Sequence, residues 1–122
     1  MQGFTASSLG LVALGGAAGS VLRYVVSLLG VALFGGGFPW GTLAVNVLGS
    51  AAIGALAALG IEGGARSLLV PGFLGGFTTF SAFSLETTFL WERTPVLAVV
   101  YVGLSVALGL AACIAGFWLV RR

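Results

Sequence analysis

The sequence predicts an all-α integral membrane protein of four transmembrane helices. Three observations carry that expectation. Hydrophobic residues make up 59% of the 122 residues and charged residues 7%, against roughly 25% in an ordinary soluble domain. Mean hydropathy is +1.18, and five Arg with three Glu cannot supply the polar skin that a water-soluble globule needs. Four stretches also reach the ~20 mostly apolar residues that a crossing helix requires.

The stretches run from about residue 7 to 31, 40 to 60, 66 to 91 and 95 to 120. LFGGGFP, IEGGA and ERT connect them within a single domain covering 1–122. The first stretch has no basic segment before it and is read as a span, not a signal peptide. Thr94 and Pro95 read as a cap and a first-turn proline for the fourth. Four crossings place both termini on one side, with Arg66, Arg121 and Arg122. Arg93, and Arg23 late in the first helix, belong to the other side. Three against two gives the positive-inside rule little to act on. It fits insertion both ways up, and it also fits chance in an Arg-poor chain. Gly15/Gly19, Gly16/Ser20 and Ser50/Gly54 are small-xxx-small pairs, suited to close contacts within or between chains. Four short helices cannot both enclose a polar path and shield it from lipid, so a dimer is expected.

The inventory excludes several functions. There is no His, no Lys and one Cys. That removes His-based acid–base catalysis, Lys Schiff-base chemistry and zinc sites built on His or several Cys, so no enzyme is expected. One Cys cannot close a disulfide within the chain, and it says nothing of compartment. A net charge of +2 is too sparse for a nucleic-acid partner.

Polar groups inside the spans are the informative ones. At ~1.5 Å per residue, Asn46 and Tyr101 lie on the order of 9 Å into the membrane and Ser105 near its midplane. Tyr101, Ser105 and Gly109 share one helix face, as do Thr42 and Asn46. The third stretch, SLLVPGFLGGFTTFSAFSLETTFLW, is unusual. Pro71 and Gly72 weaken it, and the run Gly75, Gly76, Thr78, Thr79 can break it near the midplane. Non-helical backbone at that depth must be buried in protein or line a cavity, where freed carbonyls can coordinate a cation. Beyond the break, Phe80, Phe83, Ser84 and Thr87 fall on one face. Arg23, Asn46, Phe80, Phe83, Tyr101 and Ser105 all fall in one half of the membrane. One subunit then supplies half a path, and an inverted second copy would supply the rest.

The lining is uncharged: an amide, hydroxyls and Phe ring edges, which carry partial positive charge. It suits a small anion better than a cation, and no fixed positive charge would trap the ion. Each residue also has a plainer reading. Asn46 fits helix–helix hydrogen bonding as well as pore lining. Phe80 and Phe83 fit packing. Thr78, Thr79, Ser81 and Ser84 can bond their own helix carbonyls. Arg23 and Glu86 can snorkel to the interface. Arg66, Arg93, Arg121, Arg122, Glu62 and Glu92 read as flanking charges, and Cys113 as a small packing residue.

GGAAGSVLRY (15–24), GTLAVNVLGS (41–50) and GFLGGFTTFSAFSLE (72–86) resemble, in order and spacing, the three signatures of the CrcB/Fluc family of fluoride channels. The resemblance covers almost the whole chain. It implies an antiparallel, dual-topology homodimer in the prokaryotic plasma (inner) membrane that exports fluoride passively and protects the cell. It implies Phe80 and Phe83 as pore phenylalanines and Asn46 as the pore amide. Tyr101 and Ser105 match the polar track of the fourth helix, with Thr42, Ser84 and Thr87 along the path. Glu86 would lie near the pore mouth and Arg23 in the vestibule. A structural sodium ion at the dimer centre would be held by the backbone carbonyls of Gly75 and Thr78. Two departures stand out: Ala82 where members often have Thr, and Gly109 where many have a hydroxyl. The rival readings are a proton-coupled drug exporter and a non-transporting assembly subunit. The exporter needs an embedded carboxylate. The first helix has none, and Glu86 is the only candidate.

Overall fold

A computed structural model describes residues 5–121 and is all-helical among them. Arg122, read above as a flanking charge, lies outside the described residues. Four helical spans of 29, 20, 31 and 27 residues are long and apolar enough to cross a membrane.

The first span is α1 (Ala6–Phe34). Thr5 starts it with a capping box: its hydroxyl accepts the Ser8 N–H, and Ser8 Oγ accepts the Thr5 N–H. This satisfies donors that a helix start leaves free. The second span, α2 (Trp40–Leu59), follows Pro39. It stops at Gly60, whose left-handed φ of 68° lets its N–H turn back to Leu56 and Ala57.

The third span, Gly63–Arg93, is composite. It opens with α3 (Gly63–Ser67), passes through a π-helical segment, Leu68–Leu74, and continues in one short turn, α4 (Gly75–Phe77). Thr78 and Thr79 are both extended, and α5 (Phe80–Arg93) follows. Pro71 lies inside the π segment. A proline there has no N–H and its ring collides with the carbonyl of the turn before; the wider π turn is one way to relieve this. The fourth span, α6 (Pro95–Arg121), is continuous.

Glycines set how the spans meet. A side chain at Gly19 would run into the Phe73 carbonyl, one at Gly15 into Leu68, and one at Gly76 into Gly16. Gly54 lies equally close to the Cys113 carbonyl. The small-residue stripes are thus used within one chain: α1 against the first half of the third span, and α2 against α6. The α2 and α6 helices run in the same direction and in step. Leu43 packs with Ala98 and Tyr101 near their starts, and Gly54 backs onto Cys113 further along.

Two small cores result. Leu43, Leu90, Ala98 and Tyr101 form one, and Val45, Leu74 and Phe77 the other. Only 11% to 28% of each span's most apolar window is buried within the chain. A surface that apolar does not face water; it needs lipid, or another chain, to cover it.

Candidate ion pathway

The polar residues of the spans converge where α2 and α6 meet the Thr78–Thr79 link. Extended backbone inside an apolar protein leaves N–H and C=O groups that must find partners. Asn46 supplies them. Its Nδ2 donates to the Thr79 carbonyl at 3.2 Å, and its Oδ1 accepts the Thr79 N–H at 2.8 Å. Thr79 then caps α5, its hydroxyl accepting the Ala82 N–H at 3.1 Å. Asn46 is therefore glue for the link, and it also lines the pocket beside it.

Those bonds redirect two others. In an unbroken helix the Thr79 N–H would donate to the Gly75 carbonyl and the Ala82 N–H to the Thr78 carbonyl. Here they go to Asn46 Oδ1 and Thr79 Oγ1. The carbonyls of Gly75 and Thr78 thus lose their regular helical donors. Between them, the Gly76 carbonyl accepts Arg23 Nε at 3.0 Å. Arg23 reaches the link from α1, so its half-buried guanidinium is anchored there.

An open pocket of about 420 Å³ lies against the link. Asn46, Ser50, Phe80, Phe83 and Ser105 are among its walls, and none of its lining residues is charged. Phe80 is 79% exposed in one chain. Phe83 is half-buried, with ring centroids 5.8 Å from Phe80 and 5.1 Å from Tyr101. The Ser105 hydroxyl is buried and has no hydrogen-bond partner. A buried hydroxyl with no partner among the described residues is costly, and its residue is one of the pocket's walls.

Beside the pocket is a second cluster. Glu86 Oε2 accepts from the Thr42 hydroxyl at 2.9 Å, and Oε1 from the Tyr101 hydroxyl at 3.0 Å. Thr42 and Tyr101 are both buried. Two donors on two different helices thus hold one carboxylate, and Glu86 is not among the pocket's lining residues. Four other hydroxyls of the third span bond back onto it. Ser84 donates to Phe80, Thr87 to Phe83, Thr88 to Ser84 and Thr78 to Leu74, all carbonyls of their own span.

The structure thus gathers Asn46, Phe80, Phe83 and Ser105 around one pocket, with Thr42, Glu86 and Tyr101 next to it. Ser84 and Thr87 follow along α5, engaged with their own helix. Arg23 is bound to the far side of the link. Ser50 also lines the pocket, a position that the sequence reading left in a packing stripe. The signal was present: Ser50 continues the i, i+4 series of Thr42 and Asn46.

Four membrane-length helices define a small multi-pass membrane protein with an open, uncharged pocket between its spans. A family model described as "CrcB-like protein, Camphor Resistance (CrcB)" matches residues 10–117, and the chain belongs to that family. A relative from Rhizobium johnstonii, named "Fluoride-specific ion channel FluC", is 52% identical over 119 residues, covering 91% of this chain and 94% of its own. Relatives of the same name from Hyphomonas neptunium and Cereibacter sphaeroides are each 51% identical, with at least 92% of this chain and 94% of their own covered.

Proposed function

We propose that this protein is a fluoride-selective channel that lets fluoride leave the cell passively and so protects it from fluoride toxicity. The observation that carries the reading is the unpartnered Ser105 hydroxyl in an uncharged pocket walled by Phe80, Phe83 and Asn46. A small anion that sheds its water needs close, neutral donors. A hydroxyl proton and aromatic ring edges provide partial positive charge without a full cation to hold the ion in place. The names of the relatives point to the same ion.

The path runs from the Thr42, Tyr101 and Glu86 cluster past Phe83 and Phe80 to Asn46 and Ser105. Thr42 and Tyr101 hold the Glu86 carboxylate by two charge-assisted bonds, away from a pocket where it would repel an anion. Ser84 and Thr87 extend the polar face along α5. Each hydroxyl must release its own helix carbonyl to meet the ion, an exchange of hydrogen bonds worth about 1 kcal/mol. Arg23, fixed to Gly76, raises the local positive potential at the vestibule.

The working unit is an antiparallel homodimer in the prokaryotic plasma membrane. Supporting this, the polar groups occupy one half of the span, Phe80 is largely exposed in a single chain, and the five arginines divide three against two between the two sides. At the centre of the dimer the third span would be broken near the bilayer midplane. The carbonyls of Gly75 and Thr78, relieved of their helical donors, would hold a structural sodium ion there; carbonyl oxygens are hard donors suited to a hard cation. Bound there, sodium would be coordinated by carbonyl dipoles that lack their helical hydrogen-bond donors. Replacing sodium with a bulky organic cation is expected to weaken the dimer, and an unchanged dimer would argue against the ion.

The test is made in bacteria that lack a fluoride exit route of their own. Expression of the chain is expected to restore growth on fluoride and to lower the fluoride that the cells retain. No rescue by a protein that reaches the membrane would overturn the reading.

A further inference from the structure

The geometry points to Ser50 as an additional ion-coordinating residue, the hydroxyl at which the path leaves the α2–α6 cleft. This deepens the fluoride reading and rests on it. The α2 and α6 helices advance in parallel, so their residues pair as rungs. Thr42 and Tyr101 form the first rung, both bonded to Glu86. Asn46 and Ser105 form the second, on one pocket. Ser50 and Gly109 form the third: a Cβ on Gly109 would stand 3.7 Å from Ser50 Oγ, in ordinary contact. Gly54 and Cys113 form the fourth, and there the two backbones close on each other.

The α6 face thus offers a hydroxyl at the first two rungs and none at the third. The α2 face supplies it instead. The Ser50 hydroxyl makes no hydrogen bond to any described residue, whereas the hydroxyls of Thr78, Ser84, Thr87 and Thr88 all bond carbonyls of their own span. Ser50 also borders two cavities. One is the pocket with Asn46 and Ser105, and the other is a groove of about 320 Å³ walled by Pro71, Leu74, Gly75 and Thr78. Beyond Ser50 the α2–α6 cleft is shut by Gly54 against Cys113. An ion moving past Ser105 therefore meets Ser50 next.

The experiment moves the hydroxyl from one helix to the other. Wild type, Ser50→Ala, Ser50→Thr and the double variant Ser50→Ala with Gly109→Ser are purified, checked for assembly by gel filtration, and placed in liposomes loaded with fluoride. Ser50→Ala is expected to slow efflux about ten-fold or more, the loss that one hydrogen bond to a charged ion represents. Ser50→Thr keeps the hydroxyl and is expected to keep most of the rate. Gly109→Ser in the alanine background is expected to restore much of it, because the new hydroxyl enters the same rung from α6. Wild-type efflux in Ser50→Ala, with wild type itself conducting, overturns the role of Ser50 and leaves the channel reading standing. Slowing in both Ser50→Ala and the double variant, with assembly intact, means that the hydroxyl is not transferable and also overturns it. A wild type that passes no fluoride removes the channel reading, and the role of Ser50 with it.

Discussion

Asn46 is the residue on which the third span turns, since one side chain satisfies both backbone groups of Thr79. Asn46→Ala leaves those groups unpaired in an apolar interior. It is expected to cost about 1–3 kcal/mol, seen as a lower melting temperature in detergent together with lost fluoride efflux. Phe80 and Phe83 contribute differently. Phe83 packs between Phe80 and the Tyr101 edge of one core, while Phe80 is largely exposed. Phe80→Ile and Phe83→Ile are expected to abolish fluoride flux while leaving assembly intact by gel filtration; wild-type flux in both would remove the rings from the mechanism. At this scale the sequence was informative about residue type and face. It left partners open. A bond to its own helix carbonyl is one of the two readings open for Ser84, and the structure shows that bond for Ser84 and Thr87 while the Ser105 hydroxyl has no partner among the described residues. Helical periodicity sets which way a side chain points, not which acceptor its proton finds.

The elements themselves were readable because hydropathy and length suffice for spans. The expected 40 to 60 and 95 to 120 lie within a residue of α2 and α6, while α1 and the third span each run a few residues longer at their ends. The π-helical segment Leu68–Leu74 was not readable. Sequence reasoning put the strongest disturbance in the third span at its glycine–threonine run, yet the longest departure from α geometry surrounds Pro71. A proline says that a helix must adjust, but not whether by a kink or by a wider turn. The small-residue pairs were legible as close contacts, with their partners left open. Their burial against neighbouring spans of the same chain follows from packing that sequence spacing does not encode. Gly54 tests that packing. Gly54→Ala drives a methyl into the Cys113 carbonyl and is expected to destabilise the fold by about 1–3 kcal/mol. Gly10→Ala, with open space around it, is expected to leave thermal stability unchanged or slightly raised. Equal melting temperatures for the two variants would contradict the close α2–α6 contact.

For the whole molecule, one chain presents an open cleft and a broad apolar exterior. If two copies must lie opposite ways up, orientation becomes a handle. Adding arginines to one flank fixes a copy in one direction. Each biased variant expressed alone is expected to pass little fluoride, and co-expression of two oppositely biased variants to restore flux. Full flux from either one alone would contradict the antiparallel pairing. The sequence bears on such an arrangement only through its five arginines, whose three-to-two split gives the positive-inside rule little to act on.

The most direct measurement is made on purified protein in liposomes loaded with fluoride and chloride together, with an ionophore to dissipate the membrane potential. Electrodes for the two halides follow their release. The account predicts rapid fluoride loss with chloride retained, needing neither a pH gradient nor a cationic drug. Equal release of both halides, or fluoride release only when a pH gradient is imposed, would contradict a passive, fluoride-selective path.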